Sequence, residues 1–222
     1  ATEYQIQTFP LERNGIALHL QRLAVAGTQP QRQILLVHGL TYSSHEFDVN
    51  YADYSLARYL AARGFAVWTF DVAGYGDSQE VEDGFMPNSD YAAEDAAAAA
   101  AEILKVSGQK KLDVLGWSWG TVTSSRFVAR HPEMVKKLVL YAPIMVGLGA
   151  AEVKVPFNHN TWLHAAGDFQ TTKDGAIDFG AGYEFVERAA AATCWSPRRR
   201  PSSIPLPSRC PPWSSAGTRI RT

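Results

Sequence analysis

Residues 112–121 read Leu-Asp-Val-Leu-Gly-Trp-Ser-Trp-Gly-Thr, a short apolar run that breaks into Gly116-Trp117-Ser118-Trp119-Gly120. A serine lifted on a strained turn off the end of a buried strand exposes its hydroxyl oxygen to a base and can attack a carbonyl, so Ser118 is the candidate nucleophile. Gly116 and Gly120 allow strand and helix to approach without Cβ clashes. A chance Gly-x-Ser-x-Gly arises in about 0.07 of chains this long, so the weight of the motif rests on its flanks. The bland alternative is a glycine-flanked turn carrying a surface serine, and it lacks a reason for the strand before and the helix after.

Those flanks repeat along the chain. Strand-sized apolar runs rich in Val, Ile, Leu and aromatics are expected over 16–23, 33–37, 65–70, 111–115 and 137–141. Helices are expected between them. The segment 54–63 sets Leu56, Tyr59 and Leu60 on one face and stops at Gly64. The segment 90–106 contains six consecutive alanines followed by Ile103 and Leu104 and is closed by Gly108. The segment 119–130 ends at His131-Pro132. Strand and helix in alternation imply an α/β, doubly wound, mostly parallel sheet covered on both faces, with ligands beyond the carboxyl ends of its strands, where Ser118 falls.

Two further turns follow strands in the same manner, His38-Gly39-Leu40 and Asp71-Val72-Ala73-Gly74-Tyr75-Gly76-Asp77-Ser78. Between them stands Leu-Ala-Arg-Tyr-Leu-Ala-Ala-Arg-Gly-Phe-Ala-Val. In this order, over about residues 16 to 146, the chain resembles the α/β-hydrolase superfamily, and within it the lysophospholipase-like and monoacylglycerol-lipase-like serine esterases. The resemblance implies that Ser118 forms an acyl-enzyme with a small-molecule ester. It also implies that the backbone N–H groups of Trp119 and Leu40 hold the oxyanion, with His38 and Gly39 shaping the turn. It implies no cofactor and no metal. His38 at a strand end suits a structural part better than that of the base, and Asp71 suits loop-tying bonds to backbone better than direct catalysis. Trp117, Trp119, Tyr42 and Phe47 either line an acyl pocket or pack the core. A serine at 118 argues against relatives that use aspartate there, the epoxide hydrolases and dehalogenases; a C–C bond hydrolase on the same turn is the runner-up chemistry.

The resemblance runs through a core over 1–142 and a cap-like segment over 143–194, and then fails. Residues 195–222 hold six Pro, six Arg and six Ser with no Asp, Glu, Lys or His. Residues 1–194 carry 15 basic and 22 acidic side chains, net −7, whereas the tail carries six basic and none acidic, net +6. A frame-shifted translation of a GC-rich gene explains that bias better than a basic disordered tail, because a packed core needs apolar faces that the tail cannot supply. The last acidic residue is Glu187 and the last histidine His164, so the acid and histidine that the resemblance implies after the last strands have no counterpart. His159 and His164, near Asp168, Asp174 and Asp178, are better read as polar cap residues than as substitutes. An inactive hydrolase-fold binding protein is therefore the alternative to an enzyme.

The remaining composition is that of an ordinary globule: 222 residues, 46% apolar, 19% charged and a net charge of −1, which gives no pointer to nucleic acid. Cys194 and Cys210 form neither a metal spacing nor a disulfide framework. No apolar run reaches the length of a membrane span, and a cytoplasmic location is the expectation.

Overall fold

The computed structural model describes residues 2–40, 42–49, 54–144, 156, 158–159 and 219–220. The chain divides into two compact units, Ala1–Asp48 with Leu56–Asn158 and Ile220–Thr222, and Val49–Ser55 with His159–Arg219. The expected cap over 143–194 and the tail fall almost wholly outside the described residues.

The first unit is built on strands β1 (Tyr4–Arg13), β2 (Ile16–Val25), β3 (Arg32–Val37), β4 (Phe65–Phe70), β5 (Leu112–Trp117) and β6 (Val135–Tyr141), with helices α1 (Leu56–Ala61), α2 (Ser89–Ser107) and α3 (Trp119–Arg130). Two-residue strands also occur at Asn158–His159 and Arg219–Ile220. The six strands lie in the order β1-β2-β4-β3-β5-β6. The β1–β2 and β2–β4 pairings are antiparallel, and β4, β3, β5 and β6 run parallel. The chain moves from β3 outward to β4 on one side and to β5 on the other. The ends of β3 and β5 therefore flank the point where strand order reverses, which is where a crevice opens in such sheets.

Every residue of β4 is buried, as is every residue of β3 after Arg32, which is why these strands read as unbroken apolar runs. Their alternate side chains feed two cores. Leu35, Val37, Trp68 and Phe70 pack with Ile103 and the buried alanines of α2 and with Phe127 of α3. Ile34, Leu36 and Val67 pack with Phe47 and with Ala57 and Ala61 of α1. Alanines at 92, 93, 96, 97, 99 and 100 are all buried; their small side chains let α2 lie close on the sheet. The Asn88 side chain caps α2 by accepting from the N–H groups of Asp90 and Tyr91, and Gly108, in the left-handed region at φ 68°, ends it.

The structure departs from the sequence expectations in two places. The strand β1 was absent from them; it is mostly exposed and carries Pro10, as an edge strand tolerates. Its signal was Asn14-Gly15, with both residues at positive φ and Arg13 opposite Ile16, the two-residue hairpin that Asn-Gly favours. Helix α1 is shorter than 54–63, and Tyr59 is exposed rather than on the inner face, which Ala57 and Ala61 occupy. The Arg63 guanidinium instead lies over the Tyr59 ring on the surface.

Candidate active site

Ser118 sits between the end of β5 and the start of α3 with φ 53° and ψ −119°. An L-residue held there stores on the order of 1–3 kcal/mol of strain, which surrounding contacts must over-determine. They do so from both sides. The Ser118 N–H donates to the Tyr141 carbonyl of β6 at 3.1 Å, and the Ser118 carbonyl accepts from the Thr121 N–H at 2.9 Å and the Thr121 hydroxyl at 2.6 Å. The two flanking glycines are required by contact. A Cβ on Gly116 would stand 2.2 Å from Ser124 Oγ and 2.3 Å from the Gly120 carbonyl oxygen, and one on Gly120 would stand 2.2 Å from the carbonyl oxygen of Val37. Strands β3 and β5 and helix α3 therefore meet at backbone distance beneath the serine.

The turn after β3 comes up beside it. A Cβ on Gly39 would lie 2.9 Å from the Trp117 ring and 3.5 Å from Ser118 Cβ, so the His38-Gly39-Leu40 turn and Ser118 are neighbours. His38 is fully buried with both ring nitrogens engaged. Nε2 accepts from the Val72 N–H at 3.2 Å, which leaves the proton on Nδ1, donated to the Gly39 carbonyl at 2.8 Å. Burial holds its pKa below the usual histidine value, against the opposing pull of Asp71. A neutral ring with no free nitrogen ties the ends of β3 and β4 together and is not available as a base.

Asp71 does the same for the next loop. One carboxylate oxygen accepts from the Ser44 N–H at 2.6 Å and the other from the Asp77 N–H at 2.9 Å, while the Ser78 hydroxyl donates to the Asp71 carbonyl. Gly76, at φ 47°, is held so close that a Cβ would stand 2.3 Å from the Asp71 carboxylate. His19, Asp71 and Asp77 bring one potential ligand atom each within 4.8 Å of one another, the one such group among the described residues. The Asp71 carboxylate is engaged by backbone N–H groups and that of Asp77 by His45, which sits 2.7 Å away.

The aromatic candidates divide. Phe47 is core beneath the sheet. Trp119 is buried, stacked on Tyr75 at 5.7 Å, with its indole N–H donated to Ser89 Oγ at 2.9 Å. Trp117 is partly buried and meets Tyr42 at 5.2 Å. These two are the aromatics left at the mouth of the site.

Sequence reasoning missed Glu46. Its Oε1 accepts from the Gly39 N–H at 3.0 Å, and Oε2 is buried with no partner among the described residues. Nothing local marks it, because its partner lies in another turn. Desolvation, with the nearby charge of Asp71 in support, lifts its carboxyl well above the ordinary carboxylate range, against the opposing bond from Gly39. As pH rises, the unfolded chain releases this proton before the folded chain does, so the stability the group lends at low pH is lost as pH climbs through its raised folded value. Glu46→Gln keeps the acceptor for Gly39 and cannot ionise. It is expected to match wild type near pH 4.5 and to become progressively more stable than wild type toward pH 8, read by urea unfolding across the series. A difference that does not change with pH would show that the carboxyl does not titrate as described.

Comparison with known proteins places this arrangement. Residues 33–177, well over half the chain, match the model of the alpha/beta hydrolase fold family. Human "Lipase member M" is 29% identical over 158 residues, which are 64% of this chain and 36% of that protein. Human "Serine hydrolase BPHL" is 30% identical over 128 residues, 58% of this chain and 40% of that one. "Epoxide hydrolase 3" of Siraitia grosvenorii is 24% identical, covering 94% of this chain and 64% of its own length. The chain thus spans two fifths or less of the length of the lipase and serine hydrolase relatives named here. Among solved structures, an epoxide hydrolase from Vigna radiata superposes with a TM-score of 0.52 at 20% identity, over 63% of this chain and 39% of that one. A laboratory-evolved potato epoxide hydrolase does so with a TM-score of 0.52 at 23% identity, over 68% and 44%. The chain belongs to the alpha/beta hydrolase fold family.

Proposed function

We propose that the chain is a serine hydrolase that cleaves carboxylic esters of small molecules through an acyl-enzyme on Ser118. The observation that carries this reading is the strained serine at the carboxyl end of β5, set beside the Gly39 turn. Its Oγ attacks the ester carbonyl, the alcohol leaves with a proton, and water then releases the acid. The charge that develops on the carbonyl oxygen is met by two backbone N–H groups, those of Trp119 and Leu40. Trp119 opens α3, where the helix dipole is positive, and no described residue accepts a hydrogen bond from either amide. The lipase and serine hydrolase relatives are named for chemistry of this kind. A serine rather than an aspartate at this position favours an acyl-enzyme over the alkyl-enzyme of epoxide opening.

A second reading, a hydrolase fold that binds a ligand without turning it over, is favoured by one observation. Within residues 2–144 no histidine hydrogen-bonds to Ser118: His38 is committed to backbone, His45 to Asp77, and His131 lies by Glu94 and Glu133 at the far end of α3. The two readings separate on a burst of p-nitrophenol from short-chain esters together with fluorophosphonate labelling mapped to Ser118. A folded chain that gives neither is a binding protein. Alanine at His159 or His164 is expected to leave the labelling rate within about twofold of wild type, since a base must be held in register with the serine oxygen. Loss of labelling in either variant, with the thermal melt unchanged, would reassign that histidine as the base.

A further inference from the structure

The turn after β3 cannot hold its shape through local sterics. Residue 39 has to be glycine, since a Cβ there would press to 2.9 Å from the Trp117 ring and 3.5 Å from Ser118 Cβ. A glycine leaves φ and ψ freer than any other residue, so bonds from outside must fix what no side chain can. Both peptides that meet at Gly39 carry such a bond. The Gly39 carbonyl accepts from His38 Nδ1–H at 2.8 Å, and the Gly39 N–H is donated to Glu46 Oε1 at 3.0 Å.

The carbonyl of Gly39 and the N–H of Leu40 belong to one planar trans peptide and point in opposite directions. A tilt of either peptide at Gly39 therefore swings the Leu40 N–H. His38 holds the later peptide by its oxygen, and Glu46 holds the earlier one by its N–H. The short helical turn Ser44–Phe47 that carries Glu46 is itself anchored, by the Ser44 N–H on Asp71 at 2.6 Å and by Phe47 in the core. The bond from Glu46 is thus a strut between a fixed element and a glycine that would otherwise rock. Glu46 Oε2 is buried with no partner among the described residues. A buried polar atom left in that state is costly and calls for a reason, and the bond made by the other oxygen supplies one.

We propose that Glu46 is a positioning residue for the reaction at Ser118: its bond to the Gly39 N–H aims the Leu40 N–H at the carbonyl oxygen of the bound ester. The inference rests on the reading of Ser118 as nucleophile. Glu46 acts through Gly39 and Leu40 and not on the substrate itself. Negative charge on the carbonyl oxygen develops only as the tetrahedral species forms, so a well-aimed donor speeds the chemical step and leaves substrate binding nearly unchanged. Desolvation, which lifts the Glu46 carboxyl well above the ordinary carboxylate range, also lessens the negative charge that would oppose such an oxyanion.

Two variants of the full chain test this with p-nitrophenyl butyrate near neutral pH. Glu46→Ala removes the strut and is expected to lower kcat about ten- to a hundredfold, part of what a lost oxyanion donor costs, with KM within about twofold. Glu46→Gln keeps an acceptor for Gly39 and is expected to restore at least about a third of the wild-type kcat. Oxyanion donors supply catalysis even where no base assists the serine, so the assay does not depend on a complete triad. A folded Glu46→Ala chain with unchanged kcat, or a loss that glutamine does not rescue, overturns the proposal. Site-resolved hydrogen exchange reads the strut without activity. The Gly39 amide is expected to exchange at least about tenfold faster in Glu46→Ala than in wild type and Glu46→Gln. Equal exchange overturns the proposal. If the alanine variant does not fold, wild type and Glu46→Gln decide: slow exchange at Gly39 is expected in both, and an open-chain rate in either overturns it. A wild-type chain that neither turns over the ester nor takes a fluorophosphonate defeats the serine hydrolase reading, and exchange at Gly39 still decides whether Glu46 holds the turn.

Discussion

Ser118→Ala is expected to abolish capture by a fluorophosphonate completely, while its effect on steady-state ester hydrolysis depends on which chain is assayed. Removing the serine of a complete triad costs about 10⁶-fold in kcat, but members of a triad act as a unit and their losses do not add. Once the base is absent, what remains is a catalysis of about 10³- to 10⁴-fold over water from the oxyanion donors and binding. In the present chain, where no histidine within residues 2–144 bonds Ser118, alanine should therefore lower turnover far less than the full factor, while the covalent adduct disappears. In a chain with its acid and base restored, the full loss should return. Labelling that persists at another residue in the Ser118→Ala variant would remove Ser118 from the reaction. Alanine carries the same Cβ as serine, so the strain at φ 53° is unchanged and folding should be preserved.

The turns around this serine divide the work. His38 and Asp71 are buried and Glu46 is half-buried, and each accepts a backbone N–H: from Val72 for His38, from Gly39 for Glu46, and from Ser44 and Asp77 for Asp71. Asp95 adds a fourth, accepting from the Ala73 N–H while ion-paired to Arg13 of β1; burial, the largest influence on it, raises its carboxyl. The loops after β3 and β4 are thus fixed by side chains that terminate backbone donors which no strand or helix could satisfy. The Ser118 hydroxyl stands on the turn after β5, which is fixed by the packing of glycines and by the Ser118 backbone bonds to Tyr141 and Thr121 instead.

That division explains what could be read from the sequence. Strands β3 to β5 and helices α2 and α3 were legible to within two residues because burial on both faces writes itself as an unbroken apolar run, and an alanine stripe closed by glycine writes itself as a helix. The Ser118 turn was legible because the geometry demands glycine at two fixed offsets. Strand β1 was not, since a half-exposed edge strand has little apolar content to display, and only Asn14-Gly15 betrayed it. The pairs that hold the loops join residues far apart in the chain, as Arg13 does with Asp95 and Ser44 with Asp71, and no local pattern encodes a partner brought in by tertiary folding. Conversely, the exposure of Val139 and Tyr141 on β6 is visible only in the structure.

The tightest point in the molecule should also be the least forgiving. Gly120→Ala places a methyl group 2.2 Å from the Val37 carbonyl oxygen, in β3, a strand paired on either side, and 2.7 Å from that of His38 just beyond its end. No rotamer relieves such a contact. Either α3 lifts off β3 or the end of β3 bends, and both disturb the Gly39 turn and the Ser118 φ together. A loss of about 3 kcal/mol or more is expected, at or beyond the upper end for overpacking, because a fixed strand rather than a side chain must yield. Gly64→Ala is the control: its φ of 84° strains a side chain, yet nothing lies within 4 Å of the added Cβ, so it should cost only about 1–2 kcal/mol. Urea unfolding of the two variants compares the contributions of contact and of conformation directly. If Gly120→Ala unfolds within about 1 kcal/mol of wild type, the closeness of β3 and α3 does not fix the turn, and the serine's strain must be held by the Tyr141 and Thr121 bonds alone.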